Sequence, residues 1–275
     1  MEQQGVPVST YLVLRLLAQN GYGRRKMRKV KTLKQVEGRN EQFEYIARLR
    51  EEYAGDVILS MDGKKKERLG EFSRAGACYC QEPLQANDHD FSREAVGVLC
   101  PYGFYDVTEK KGCIVLGNSC ETADFSVEAL KLCLDRYHCS QGKYPPRLLL
   151  LCDGGGANGS RNGLFKVNLQ RLADRTGMQI RVAHYPPYCS KYNPIEHRFF
   201  SHISRFWQGA KLVSIEQVRK LTRLKAKLYQ SMEIKVATLK KTYRKGKKIA
   251  AKEIGKLNMN RDDLLGKWNY TFNPT

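Results

Sequence analysis

The sequence lacks the features that mark membrane, secreted and nucleotide-binding proteins. No apolar run approaches the length of a membrane-spanning helix, and the opening stretch MEQQGVPVST lacks the apolar core of a signal peptide. The nine cysteines are scattered and include no C-x-x-C pair, so we expect reduced thiols and neither a disulfide framework nor a zinc site. No Walker-type G-K-[ST] follows the glycine-rich stretch, which argues against a P-loop. These absences predict a cytoplasmic protein.

Acidic residues are too few to balance the basic ones. Lys and Arg number 48 against 28 Asp and Glu, which gives a formal net charge of +20 spread over 275 residues. Such a charge predicts a polyanionic partner, and nucleic acid fits better than a membrane surface. The hydrophobic fraction of 41% suffices for a sizeable core, in one large domain or two smaller ones.

The most informative stretch that is present runs from Arg147 to Ser160. Four leucines and a cysteine lead into Asp153, and three glycines follow it. This apolar run predicts a strand buried on both faces, as in a parallel sheet. A carboxylate at the carboxyl end of such a strand lies where open α/β sheets hold their ligands. Alternatively, the acid belongs to an Asp-Gly turn that closes an ordinary strand.

The elements around this strand predict a mixed α/β sheet with helices on its faces. Three consecutive strands are followed by helix, strand, helix, strand and helix, so that an antiparallel meander forms one half and parallel crossovers the other. This is the element order of the five-stranded ribonuclease H-like fold, in which the first and fourth strands are neighbours. Besides the leucine-rich strand, the predicted strands are Val57–Asp62, Ala95–Tyr105, Gly112–Leu116 and Gln179–His184, and the predicted helices Asp124–Tyr137 and Leu164–Thr176.

Four regions are predicted along the chain. Residues 1–38 contain a short helix capped near Ser9, with a basic segment after it. This suits part of a DNA-binding helix-turn-helix, or a surface helix with a solvated tail. Residues 39–54 predict a linker helix, residues 55–210 the α/β core, and residues 211–275 a basic helical region.

A third acid, Glu196, opens the helix predicted after the last strand. Asn193 is a candidate N-cap and Pro194 suits the first helical position, so Glu196 could serve as a capping-box carboxylate. However, Phe199 and Phe200 share its helical face, which directs the acid toward the sheet. A lone buried charge there needs a partner, and a metal ion would provide one.

The three acids Asp62, Asp153 and Glu196 have similar settings at the ends of their elements. In the expected fold their elements are neighbours, so the acids converge; the spacing alone does not require this. An oxygen-rich site of this kind favours Mg²⁺ or Mn²⁺. Two such ions can activate a water or hydroxyl in phosphodiester chemistry.

Four motifs in one order make the sequence similar to a known family. D-G-G-G, H-Y-P-P, S-K-x-N-x-I-E-H-R and W-N-Y-T follow one another, and the chain from about residue 8 to Pro274 resembles the transposases of the ISAzo13 group of bacterial insertion sequences. The resemblance implies a DDE transposase with a ribonuclease H-like core. It implies that Asp62, Asp153 and Glu196 are the catalytic triad and bind two Mg²⁺ or Mn²⁺ ions.

The resemblance also implies the partners and their location. Double-stranded DNA is expected as the partner, both at the element ends and at the target, with a homo-oligomer on the DNA and no membrane. The expected location is the bacterial cytoplasm, at the nucleoid. Family members have more chain before this point, so we expect the helix-turn-helix to be incomplete. Gly63 and the pair Tyr188-Cys189 depart from the family pattern, and neither departure removes a candidate metal ligand.

Seven further residues are candidate DNA contacts, located after Asp62, in the glycine-rich loop and around Glu196: Lys64, Lys65, Asn158, Arg161, Lys191, His197 and Arg198. Lys64 and Lys65 are also explained by a solvated charge run. His197 and Arg198 are also explained by a first helical turn whose side chains point away from the site.

Two other functions stay open on the sequence alone. One is a metal-dependent nuclease of the same fold that does not transfer strands. The other is a truncated, non-catalytic DNA-binding protein. The basic charge fits all three functions, whereas three acids in matching settings favour an enzyme.

Overall fold

The computed structural model describes residues 8–25, 36–89 and 91–275, in two compact units that divide the chain at residues 1–37 and 38–275. In the first unit, helix α1 (Thr10–Gln19) begins as predicted, because the Ser9 hydroxyl accepts a hydrogen bond from the Leu12 amide at 3.2 Å. The apolar side chains of α1 are exposed. Most of the basic segment after it lies outside the described residues. The helix-turn-helix stays a prediction.

The second unit is built on one mixed sheet. Counted over the described residues, nine strands run in the order β7-β4-β3-β1-β5-β6-β9-β8, with β2 paired to β3. β1, β3 and β4 form an antiparallel meander, and β5 and β6 run parallel to β1. The strands are β1 (Val57–Gly63), β2 (Glu67–Leu69), β3 (Gly97–Asp106), β4 (Gly112–Gly117), β5 (Arg147–Cys152), β6 (Gln179–His184), β7 (Ile234–Leu239), β8 (Met259–Arg261) and β9 (Asn269–Phe272).

Helices cover both faces of this sheet. α3 and α4 pack on one face, and α2, α5 and α6 on the other. Among the described helices, none combines the length and the apolar composition that crossing a bilayer requires. The helices are α2 (Arg39–Glu52), α3 (Ala123–Tyr137), α4 (Gly163–Thr176), α5 (Ser201–Phe206), α6 (Ile215–Leu228) and α7 (Ala251–Ile254), and a π-helical turn (Glu196–Phe200) leads into α5.

Strand β5 is buried on both faces, as predicted. Leu148, Leu150 and Cys152 pack in the cluster with α3 and α4, whereas Leu149 and Leu151 pack in the cluster with α2. All five side chains are fully buried. Alternation along a strand sends successive side chains to opposite faces, so both layers anchor β5. Its carboxyl end is therefore held in the middle of the sheet.

The sheet is wider than the five strands predicted, and the prediction of a helical region over residues 211–275 is wrong in part. β7 pairs in parallel with β4, and β9 pairs antiparallel with both β6 and β8. The basic composition of residues 211–275 made these strands difficult to predict from the sequence. Only Val236 and Ala237 of β7 are buried, and β9, although buried throughout, is four residues long. Tertiary pairing, which local patterns do not record, adds these strands to the sheet.

Candidate active site

Asp62 and Asp153 lie side by side at one edge of the sheet. Their strands β1 and β5 are parallel neighbours in which Met61 pairs with Cys152, so each acid comes directly after that pair. Asp62 is 8% exposed, and its Oδ1 accepts a hydrogen bond from the Gly63 amide at 2.7 Å. Burial, followed by the charge of Asp153, raises the pKa of Asp62 to about 8. This edge therefore favours the binding of a cation.

The glycine-rich loop holds Asp153. Burial raises the pKa of Asp153 to about 6, and the hydrogen bond from the Gly155 amide opposes this shift. With its nitrogen turned toward the loop, the Asn158 side chain donates to Asp153 Oδ1 at 3.3 Å and to the Gly155 carbonyl oxygen at 2.9 Å. Asn158 is 1% exposed. This candidate DNA contact is thus buried, and its amide orients Asp153 instead of facing solvent.

Hydrogen bonds to β1 bring Glu196 to the same edge. The Ser60 hydroxyl donates to Asn193 Oδ1 and accepts from the Ile195 amide at 3.0 Å. Asn193 Nδ2 also donates to the Met61 carbonyl oxygen at 3.3 Å. The helical segment begins directly after Asn193, at Pro194, but the Asn193 side chain is engaged by the strand and does not cap it.

Two glycines let the aromatic side chains after Glu196 lie directly on the sheet. A Cβ atom on Gly103 would meet the Phe200 ring, and one on Gly112 would meet the Phe199 ring. Gly103 is also the register partner of Asp62. The absence of a side chain at Gly103 therefore sets how closely the Glu196 segment approaches Asp62.

A fourth carboxylate, Glu121, joins the three predicted acids. It follows β4 and precedes Thr122, whose hydroxyl caps α3 by accepting from the Phe125 amide at 3.2 Å. The charge of Glu121 acts on both Asp62 and Asp153. Because β1 and β4 are both antiparallel to β3, their carboxyl ends share one edge. The predicted strands already place the residues after β4 at this edge. Glu121 was nevertheless not predicted as a site residue, because it belongs to no motif.

The chemistry of these side chains fits a divalent cation. Carboxylate oxygens are the ligands that Mg²⁺ and Mn²⁺ prefer. In the part of the chain that the structure describes, none of the four acids forms an ion pair with a basic side chain. Beneath them, the fully buried Tyr102 hydroxyl has no hydrogen-bond partner. The carboxylates therefore lack a cationic partner and the Tyr102 hydroxyl lacks a hydrogen bond, and a hydrated ion would supply both.

The acids are gathered at one edge without converging on one point. Among the described residues, no three His, Cys, Asp or Glu side chains form a group that could hold a metal ion. The structure therefore places the predicted acids close enough for their charges to raise the pKa values of Asp62 and Asp153. It does not show three of them around a single position.

The family of the chain follows from comparison with known proteins. A model described as the Rhodopirellula transposase DDE domain matches residues 1–274. The chain belongs to this family. Comparison with curated proteins gave no match.

Solved structures of the Mos1 mariner transposase are similar to this DDE domain. Its paired end complex with Mn matches at 15% sequence identity and a TM-score of 0.49, covering 79% of this chain and 63% of that chain. Its strand transfer complex matches at 15% identity and a TM-score of 0.47, covering 78% and 61%. The DDE domain thus spans less than two thirds of the length of these Mos1 chains.

Three of the candidate DNA contacts of this DDE domain line one cleft. Lys191, His197 and Arg198 surround a cavity of about 760 Å³, together with Arg50 and Lys110. His197 Nε2 is also hydrogen-bonded to the Lys191 carbonyl oxygen. The structure therefore brings these cationic groups together on the side of the π-helical turn.

The remaining candidates are dispersed. Lys64 and Lys65 line a smaller cavity of about 300 Å³ with Glu196. Lys64 is also engaged within the protein, because it forms an ion pair with Glu67 at 3.7 Å, and burial lowers its pKa. Arg161 is exposed in the loop after Asp153. Lys65 and Arg161 are therefore better placed than Lys64 to reach a ligand.

The buried acids should make the stability of the metal-free DDE domain fall as pH rises. The folded-state pKa of Asp62 is raised from 3.8 to about 8, so between these values the folded chain holds a proton that the unfolded chain has released. Asp62→Asn removes this penalty. It should raise the melting temperature at pH 8 more than at pH 4, measured by calorimetry with a chelator present. Asp263→Asn, at an exposed acid, should change neither value; equal shifts from Asp62→Asn at both pH values would contradict the expectation.

A buried histidine supports Asp153 through its backbone. His184 Nδ1 lies 2.8 Å from the Asp153 carbonyl oxygen, so Nδ1 carries the proton, and Nε2 accepts from the Tyr270 hydroxyl at 2.7 Å. Burial lowers the pKa of His184 to about 4, which keeps the ring neutral. Tyr270→Phe should lower the free energy of unfolding by about 1–3 kcal/mol, because it leaves Nε2 without a donor. Urea unfolding measures this, with the exposed Tyr79→Phe as the control.

Proposed function

We propose that this chain is the catalytic part of a transposase that cuts DNA at insertion-sequence ends and joins the freed 3′-hydroxyl to target DNA. The observation that carries the proposal is the gathering of four carboxylates at the carboxyl edge of one sheet, where Lys64 and Lys65 line a cavity with Glu196. Membership of the DDE domain family supports the reaction class. The net charge of +20 supports double-stranded DNA as the substrate.

Asp62, Asp153 and Glu196 would hold two Mg²⁺ or Mn²⁺ ions. When bound, such ions activate a water or hydroxyl and stabilise the departing oxygen of an in-line displacement. Asp62 and Asp153 are fixed by adjacent strands, and Glu196 approaches from the face that carries α5. Asn158 and His184 keep Asp153 oriented, one through its carboxylate and the other through its backbone carbonyl.

The cationic side chains would bind the phosphates next to the reacting one. Lys65 lies beside Glu196, and Lys191, His197 and Arg198 line the larger cleft. Arg198 can bind a phosphate with two parallel hydrogen bonds, which fixes orientation as well as position. The attacking groups are water in the cleavage step and the DNA 3′-hydroxyl in the joining step. No covalent protein–DNA bond forms, so no serine or tyrosine nucleophile is assigned.

The reaction also defines the proposed assembly. Two element ends must be held together for joining, so the active form is a homo-oligomer on DNA. Residues 1–38 contribute part of a helix-turn-helix to DNA binding, residues 39–54 link it to the core of residues 55–210, and residues 211–275 add positive charge. The protein acts at the nucleoid of the bacterial cytoplasm.

A combined cleavage and joining assay tests the proposal. The purified chain is incubated with labelled duplexes that carry the ends of its element, a supercoiled target plasmid, and Mg²⁺ or Mn²⁺. We expect nicked ends and covalent end–plasmid products, and no joining when a pre-cut end carries a 3′-dideoxy nucleotide. Cleavage without joining would instead assign a nuclease. DNA binding without cleavage would assign a non-catalytic DNA-binding protein.

A further inference from the structure

The fourth carboxylate, Glu121, lies on the face of the sheet opposite to Glu196. Gly103 faces the Phe200 ring on the α5 side, whereas Tyr102, the residue before it, packs against Phe125 of α3 with ring centroids 5.9 Å apart. Tyr102 is the register partner of Gly63, and residues directly opposite each other in a ladder share a face. Gly63 therefore faces α3, and this is the side from which Glu121 approaches.

The Glu121 carboxylate lies close to the glycines that follow the two aspartates in the chain. A Cβ atom placed on Gly63, next to Asp62, would lie 2.5 Å from Glu121 Oε1 and 3.2 Å from Oε2. One placed on Gly156, in the loop after Asp153, would lie 3.6 Å from Oε1. A side chain at position 63 would require this carboxylate to shift from its position. Within the described residues, Glu121 makes neither an ion pair nor a side-chain hydrogen bond, so its charge is not neutralised by the protein.

The Tyr102 hydroxyl is an independent sign that a polar ligand belongs on this face. Tyr102 is 0% exposed and its Oη has no hydrogen-bond partner. The carboxylates whose charges act on it are Asp62, Glu121 and Asp153. A buried hydroxyl is rarely left without a partner in a native structure. A hydrated cation held among these three acids would supply the missing hydrogen bond.

We propose that Glu121 is a fourth metal-binding carboxylate, which approaches from the α3 face of the sheet and binds a divalent cation together with Asp62 and Asp153, whereas Glu196 approaches from the opposite face. The inference rests on the proposed function and deepens it. Each of the two ions then has its own glutamate, one from each face.

Titration of the full 275-residue chain with MnCl₂ by calorimetry, with and without duplex DNA, tests this assignment. We expect two Mn²⁺ per wild-type chain. Glu121→Gln should weaken one of them by at least about tenfold, since loss of even an outer-shell partner costs metal sites about 10–100-fold in affinity. The matched control is Glu109→Gln, in the exposed turn between β3 and β4, which should bind as wild type does.

A second variant displaces the same carboxylate without changing the charge. In Gly63→Ala, the new Cβ atom would occupy the space of Glu121 Oε1, so the same weakening is expected. The Mn²⁺-induced rise in melting temperature should shrink in both variants, whose folding is checked by circular dichroism.

The outcomes separate this inference from the proposed function. Wild-type affinity in both Glu121→Gln and Gly63→Ala, with binding lost in Asp153→Asn, would overturn the role of Glu121 and leave the proposed function standing. No Mn²⁺ binding by the wild-type chain, with or without DNA, would overturn both. Weakening in Glu121→Gln and Gly63→Ala, with Glu109→Gln unchanged, would support the assignment.

Discussion

Asp153→Asn should reduce DNA strand cleavage by at least about 10³-fold and leave DNA binding within about twofold of wild type. A bound metal ion contributes several kcal/mol of charge stabilisation in phosphoryl transfer, and about 1.4 kcal/mol corresponds to tenfold in rate. The substitution keeps the size of the side chain and removes the charge that would hold the ion. DNA affinity depends mainly on basic side chains, which the substitution does not touch.

The measurement pairs single-turnover cleavage of a labelled duplex with a gel-shift titration of the same duplex. Asp263→Asn is the matched control, because it makes the same chemical change at an exposed acid. We expect this control to cleave at the wild-type rate. Full cleavage by Asp153→Asn would show that the chemistry occurs elsewhere in the protein. Loss of DNA binding together with cleavage would show that the substitution has damaged the fold.

Gly103→Ala should lower the free energy of unfolding by about 1–3 kcal/mol, the usual cost of inserting a methyl group into a closely packed core. Its Cβ atom would meet the Phe200 ring and lie 2.9 Å from Ile195 Cδ1. Gly97→Ala, on the same strand, is the control. There a Cβ atom would lie 3.6 Å from Leu69 Cδ1, which is an ordinary contact, so we expect a change within about 0.5 kcal/mol.

The same substitution should also impair cleavage, since Ile195 and Phe200 flank the segment that carries Glu196. Displacement of that segment by about 1 Å can cost roughly 100-fold in rate. Phe200→Leu, combined with Gly103→Ala, should recover part of both losses because it makes room for the methyl group. A double-mutant cycle over urea unfolding and cleavage measures this coupling. Additive effects would show that Gly103 and Phe200 do not act through one contact.

The strands that carry Asp62 and Asp153 could be predicted because their signals are local. Each is an apolar run that ends in an acid, and a strand buried on both faces needs no distant information to be recognised. Their adjacency, in contrast, came from the expected order of elements. The pairing of Met61 with Cys152 confirms it.

Other features of the site depend on contacts between distant parts of the chain. Asn193 has the sequence context of a helix cap, yet Ser60, far away in the sequence, engages its side chain. Glu121 lies in a loop with no motif, and only the direction of β4 places it at the edge of the sheet. The hydrogen-bond partner of His184 Nε2 is Tyr270 of β9, a strand that was not predicted because residues 211–275 are rich in basic residues. Such partners are set by the assembled sheet, which local patterns do not record.

The placement of β9 has a consequence for the time course of synthesis. β6 pairs with β9, and residues 185–268 must be translated between the two strands. At 5–20 residues per second this interval lasts roughly 4–17 s. During this interval the edge of β6 that later pairs with β9 is unpaired, and His184 Nε2 lacks the Tyr270 hydroxyl as its donor. The backbone support of Asp153 is therefore completed only after β9 has been synthesised.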